Sequence, residues 1–149
     1  MEINRYLRLS ALLLVLLAAG CEESPTGRNQ IALVPDGQMA AIGERTFAEL
    51  LRTRPLVDDP GTLAYVDCVT RALVAALPED QRGWKVAVFD DPTPNAFALP
   101  GARIGINRGM LRVAQGQDQL AAVIGHEIAH VLADHSNERL TQDSRSRAA

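Results

Sequence analysis

The sequence is poor in cysteine, carries no surplus of basic residues and has no apolar run that would span a bilayer. Two cysteines in 149 residues are too few for a small scaffold built on disulfides. Lys and Arg number 15 against 18 Asp and Glu, a net charge of −3, which argues against nucleic-acid binding through a basic patch. The apolar run from Leu9 to Ala19 falls short of the ~20 residues a transmembrane helix needs. What is present is ordinary for a globular domain. Hydrophobic residues make up 47% and charged residues 22%, which excludes a disordered tail, a collagen-like chain and a coiled coil. There is no internal repeat. The length predicts one domain, with little chain to spare for an enzyme built from a sheet and several helices.

Residues 1–20 read as a secretory signal: Arg5 and Arg8 precede the apolar run and Ala18-Ala19-Gly20-Cys21 follows it. Small residues before a cysteine resemble a bacterial lipobox. That resemblance implies lipid on Cys21 and an anchor in the cell envelope. Glu22, rather than an aspartate, follows the cysteine, which implies the periplasmic face of the outer membrane in a Gram-negative cell. A cleaved signal with an incidental cysteine and an uncleaved membrane anchor are the alternatives. Residues 21–35, polar and containing Pro25 and Gly27, read as a tether, and residues 36–149 as the folded part. Cys68 lies in the apolar pattern Leu63 to Val69 and reads as a buried, inert thiol.

Helical spacing of Met39, Ile42, Phe47, Leu50 and Leu51 predicts a helix from Asp36 to Arg54, stopped by Pro55. A second helix is expected from Pro60 to Leu77, capped by Asp59 or Thr62. The period then changes to two: Trp84 to Phe89 reads as a strand, and Asn95 to Leu99 and Arg103 to Asn107 as a hairpin turning at Pro100-Gly101. A short helix at Arg108 to Ala114 and a long one from Gln117 to Asp143 complete the pattern.

The long helix contains His126-Glu127-Ile128-Ala129-His130. Histidines four apart share one helix face, separated by about 6 Å along the axis. Both imidazoles can reach one zinc ion at about 2.0–2.1 Å. Glu127, rotated by about 100°, is placed to act as general base on a zinc-activated water and then to protonate the leaving amine. Val123-Ile124 before the motif and Val131-Leu132 after it match the extended zinc-protease pattern. The wheel puts Leu120, Ile124, Ile128, Val131 and Leu132 on the opposite, core side. Continued further, it puts His135 in the middle of that apolar side, as a satisfied structural histidine and not a ligand. Asp134, about 12 Å along the axis from His126, is too distant to share its zinc.

Three segments carry a family resemblance: Ser24 to Gln30, Asn95-Ala96-Phe97-Ala98-Leu99-Pro100-Gly101 with Gly109-Met110-Leu111, and Leu120 to Ser136. Together they resemble the zinc metalloproteases that include HtpX and the CAAX-prenyl endopeptidases, metallopeptidase family number forty-eight, in its bacterial lipoprotein branch. Ala102 stands where that family has a second glycine, and Asp134 where it often has Arg or Lys. The resemblance implies an α+β, zincin-like fold, a small sheet packed on helices with an HExxH helix. It also implies endopeptidase activity on peptides or unfolded envelope proteins. Asn95, Ala96, Phe97 and Ala98 become an edge strand to which a substrate backbone adds. The plainer reading of that strand is packing, with Phe97 and Leu99 filling the core; both can hold, since alternate residues face opposite ways.

Catalytic zinc sites use three protein ligands. The resemblance implies a glutamate on a helix well downstream of His130 as the third. The chain ends at Ala149 with no such glutamate, so an incomplete domain is expected. Glu44, Glu49, Asp90 and Asp91 are the upstream acids that could substitute. Two classes of function stand: a lipid-anchored zinc endopeptidase, or a non-catalytic lipoprotein that keeps the half-fold as a peptide- or partner-binding module.

Overall fold

The computed structural model describes residues 21–23, 29–31 and 33–147. The expected signal segment 1–20 and residues 24–28 and 32 of the expected tether therefore lie outside the described residues. In chain order the elements are β1 (Cys21–Glu23), β2 (Asn29–Ile31), α1 (Asp36–Thr53), α2 (Pro60–Ala75), a 3-10 turn (Glu79–Gln81), β3 (Lys85–Phe89), β4 (Ala96–Leu99), β5 (Arg103–Asn107), α3 (Arg108–Val113), α4 (Gln117–Leu132) and α5 (His135–Arg147). The fold is α+β. β3, β5 and β4 form a mixed sheet in that order, β3–β5 parallel and β4–β5 antiparallel. β1 and β2 pair antiparallel within the stretch read as a tether. No described helix is long and apolar enough to cross a membrane.

Local chemistry sets the helix ends. Arg54, ahead of Pro55, is extended at φ −108°, ψ 141°, the conformation a following proline imposes, and α1 stops there. α2 opens with Pro60 at its first position, and the Asp59 carboxylate accepts the Thr62 N–H at 2.7 Å. That bond holds the Asp59 carboxyl below its ordinary value.

The sheet has helices on both sides. One face presents Val88, Ile104 and Ile106 to Val66 and Val69 of α2 and to Leu120, Ile124 and Ile128 of α4, all buried. Ala96 and Ala98 of β4 pack against this cluster. Successive strand residues point to opposite faces, so Phe97 goes to the other side. There its ring covers Gly105 and lies 6.0 Å from that of Phe89 at 26°. Phe97 and Leu99 thus do not fill the main core, contrary to the packing expectation; the small alanines do, because α4 runs close against β4.

α1 covers the phenylalanine side. Its buried residues are Met39, Gly43 and Phe47, whereas Ile42 and Leu51, expected on the apolar stripe, are exposed. Gly43 is the informative member: a Cβ there would stand 2.0 Å from the Pro100 carbonyl oxygen. Its lack of a side chain lets α1 rest on the β4–β5 turn. At the end of α1, Arg54 stacks over Phe89 at 4.5 Å and bonds Asp91 and Asn107. Asp91 also accepts the Thr93 N–H at 2.8 Å. That bond first, then Arg54, holds its carboxyl below the usual range.

Two further expectations change. Cys68 is exposed, not buried, because the core face of α2 falls on Val66, Val69 and Thr70. The helix expected from Gln117 to Asp143 is two helices. Asp134 adopts a left-handed φ of 53°, which aspartate tolerates better than most residues. The Ala133 N–H still bonds the Ala129 carbonyl, and the Asp134 carbonyl then accepts from Asn137 and Glu138, so one residue ends α4 and starts α5. Buried Asn137 clamps residue 34: its amide oxygen accepts the Val34 N–H at 3.2 Å and its NH₂ donates to the Val34 carbonyl at 2.7 Å. The last residues of the predicted tether are therefore docked on α5.

Candidate active site

α4 is held by its buried stripe Leu120, Ile124 and Ile128, one residue per turn against the sheet. That stripe fixes the helix rotation and leaves the motif on the other side. His126 is exposed, and Glu127 and His130 are half-buried. The two imidazoles converge: His126 Nε2 and His130 Nε2 are 2.9 Å apart, with the rings edge-on at 81°. Two nitrogens on one tetrahedral zinc stand about 3.3 Å apart. A few tenths of an ångström of ring movement therefore converts this pair into two metal ligands. The Glu127 carboxylate makes no hydrogen bond or ion pair among the described residues and keeps its lone pairs.

A third ligand is not brought to the pair. Among the described residues, no group of three His, Cys, Asp or Glu side chains is placed to hold a metal. Each upstream candidate is engaged by an arginine: Glu44 by Arg103, Glu49 by Arg52, Asp90 by Arg108 and Asp91 by Arg54. Asp134 closes the helix break. The donor set thus fits zinc at two positions.

His135 is where the sequence reading fails. The wheel placed it opposite the motif, but the break at Asp134 returns it to the motif side. Its Nδ1 lies 2.6 Å from His130 Nδ1, with ring centroids 4.9 Å apart. The signal was present in Asp134-His135-Ser136 followed by Asn137 and Glu138, since an aspartate at such a position can begin a new helix.

β4 lies along α4 and, among the described residues, is an edge strand paired only to β5. The Asn107 N–H donates to the Asn95 carbonyl at 2.9 Å, so these opposed residues form a hydrogen-bonded pair. Such pairs alternate along an antiparallel ladder. In the register Phe97↔Gly105 and Leu99↔Arg103, Phe97 and Leu99 also turn their backbone groups to β5. Ala96 and Ala98 turn theirs to the open edge. Asn95 is exposed just ahead of the strand.

A histidine pair with an intervening glutamate, on a helix beside an edge strand in an α+β fold, is the arrangement of a metallopeptidase. A family model described as Peptidase family M48 matches residues 61–149, and the chain belongs to that family. Among curated relatives, mitochondrial metalloendopeptidase OMA1 of Schizosaccharomyces pombe is 35% identical over 112 residues, 75% of this chain and 33% of that protein. The Arabidopsis thaliana OMA1 is 29% identical over 123 residues, 81% of this chain and 25% of its own length. The beta-barrel assembly-enhancing protease of Escherichia coli is 26% identical over 110 residues, 74% of this chain and 23% of that protein. The chain spans a third or less of the length of these relatives.

Proposed function

We propose that this chain carries the core of a zinc metalloendopeptidase of the bacterial envelope, anchored through lipid on Cys21 and acting on peptides or unfolded proteins. The observation that carries this reading is the 2.9 Å convergence of His126 Nε2 and His130 Nε2, with Glu127 between them on a helix lying along an open strand edge. His126 and His130 would hold the zinc. Zinc bound there supplies Lewis acidity, which polarises a carbonyl and acidifies water.

The chain's own groups do the rest. Glu127 takes a proton at its carboxylate from the attacking water and delivers it to the departing amine. The outward N–H and C=O groups of Ala96 and Ala98 align an extended peptide as an added strand, with Asn95 and Phe97 at its flank. Among the described residues no third ligand joins the pair, and the four upstream acids are bound to arginines.

That missing ligand favours a second reading, a non-catalytic module that binds peptides at β4. Zinc stoichiometry and chelator-sensitive cleavage of casein separate the two. Bound zinc with chelator-sensitive cleavage supports the protease; peptide binding without zinc or cleavage supports the module. Mass spectrometry of the mature N-terminus tests the anchor, and an unmodified Cys21 removes it.

A further inference from the structure

The contact between His130 and His135 takes no part in the proposed hydrolysis. Two ring nitrogens 2.6 Å apart require one proton between them: one ring donates and the other accepts. His130 has its other nitrogen, Nε2, directed at His126 Nε2. For Nε2 to offer a lone pair to a metal, the proton of neutral His130 must sit on Nδ1. Nδ1–H then donates to His135 Nδ1, whose own proton is on Nε2.

We infer that His135 is a positioning residue for the metal ligand His130: it accepts the Nδ1–H bond, fixes the tautomer and holds the ring so that Nε2 faces the metal position. This rests on the reading of His126 and His130 as a zinc pair. Metal-binding histidines regularly have such a partner on the other nitrogen. Here the partner is another neutral imidazole, delivered by a break in the helix.

The fold builds this placement. The left-handed Asp134 ends α4 just beyond the motif and restarts the chain at His135. The Asp134 carbonyl accepts from Asn137 and Glu138, and buried Asn137 ties the same turn to Val34. The His135 backbone is thereby held on both sides. A continuous helix would carry residue 135 about 140° away from residue 130, where it could not meet the ring.

The test measures Zn²⁺ affinity of the full chain by competition with a chromophoric chelator, together with the nitrogen-15 shifts of His130 in the zinc-free protein. His135→Asn keeps an acceptor oxygen close to the place of Nδ1; His135→Leu has none. The expected result is a 10- to 100-fold loss of zinc affinity for His135→Leu and rescue to within a few-fold by His135→Asn. His130 in the parent is expected to be protonated at Nδ1. Parent-like affinity in the leucine variant, equal loss in both variants, or Nε2-protonated His130 in the parent overturns the inference. If the leucine variant does not fold, the parent's tautomer and the asparagine variant still decide. A parent that binds no Zn²⁺ overturns the zinc reading itself, and the positioning role with it; a parent that binds zinc while the variants match it removes the role of His135 alone.

Discussion

Ala96→Pro removes one backbone N–H from the open edge of β4 and nothing from the sheet. The Asn95–Asn107 bond sets the alternation, so the Ala96 amide does not donate to β5, and proline is tolerated on such an edge. One lost peptide hydrogen bond to substrate is worth about 0.5–1.5 kcal/mol, which lowers kcat/KM about 2- to 13-fold. The proline ring would also stand where the incoming strand approaches, pushing the effect to the upper end. Phe97→Pro is the control, since its amide pairs with Gly105 and its loss breaks the ladder. The assay combines initial rates on unfolded casein, zinc content and thermal melting. Ala96→Pro is expected to keep zinc and melting temperature while losing rate; Phe97→Pro is expected to melt lower. Equal loss of zinc and cleavage in Ala96→Pro, or an unchanged kcat/KM, refutes substrate pairing at this edge.

Ala102 holds a φ of 60° at the β4–β5 turn, a conformation that costs an L-residue about 1–2 kcal/mol and glycine much less. Ala102→Gly should therefore raise stability by about 1 kcal/mol at most, after the added flexibility of the unfolded chain; a lowered melting temperature contradicts this. Asn137→Ala leaves both backbone groups of Val34 without their partner and should cost about 1–3 kcal/mol, read by denaturant titration. The depressed carboxyls of Asp59 and Asp91 bind fewer protons folded than unfolded. Their contribution is complete above the ordinary value of 3.8 and is lost as pH falls through their lower folded values. Asp59→Asn should flatten the acid limb of a melting-temperature profile, and an unchanged limb rules out that contribution.

Much of the fold was legible because local signals agreed with tertiary need. Pro55, Pro60 with Asp59, and the Pro100-Gly101 turn place helix and strand ends within a residue or two. The convergence of His126 and His130 follows from spacing alone, since a helix makes positions four apart neighbours. Three features depended on contacts that periodicity does not encode. Gly43 is buried because α1 rests on the Pro100 carbonyl, so the true stripe runs Met39, Gly43, Phe47 and omits Ile42. The face of β4 follows from how close α4 comes, which selects Ala96 and Ala98 for the core over Phe97. His135 was misplaced because a helical wheel is valid only while the helix lasts, and Asp134 ends it one residue earlier.

Glu127→Gln tests the central claim most directly. The amide keeps the shape of the side chain but cannot take up a proton, while His126 and His130 are untouched. In an enzyme whose zinc site is complete, zinc content equal to that of the parent with loss of most peptide hydrolysis is the predicted result. Turnover retained in the glutamine variant would contradict the assignment of Glu127 as the base on the His126–His130 pair.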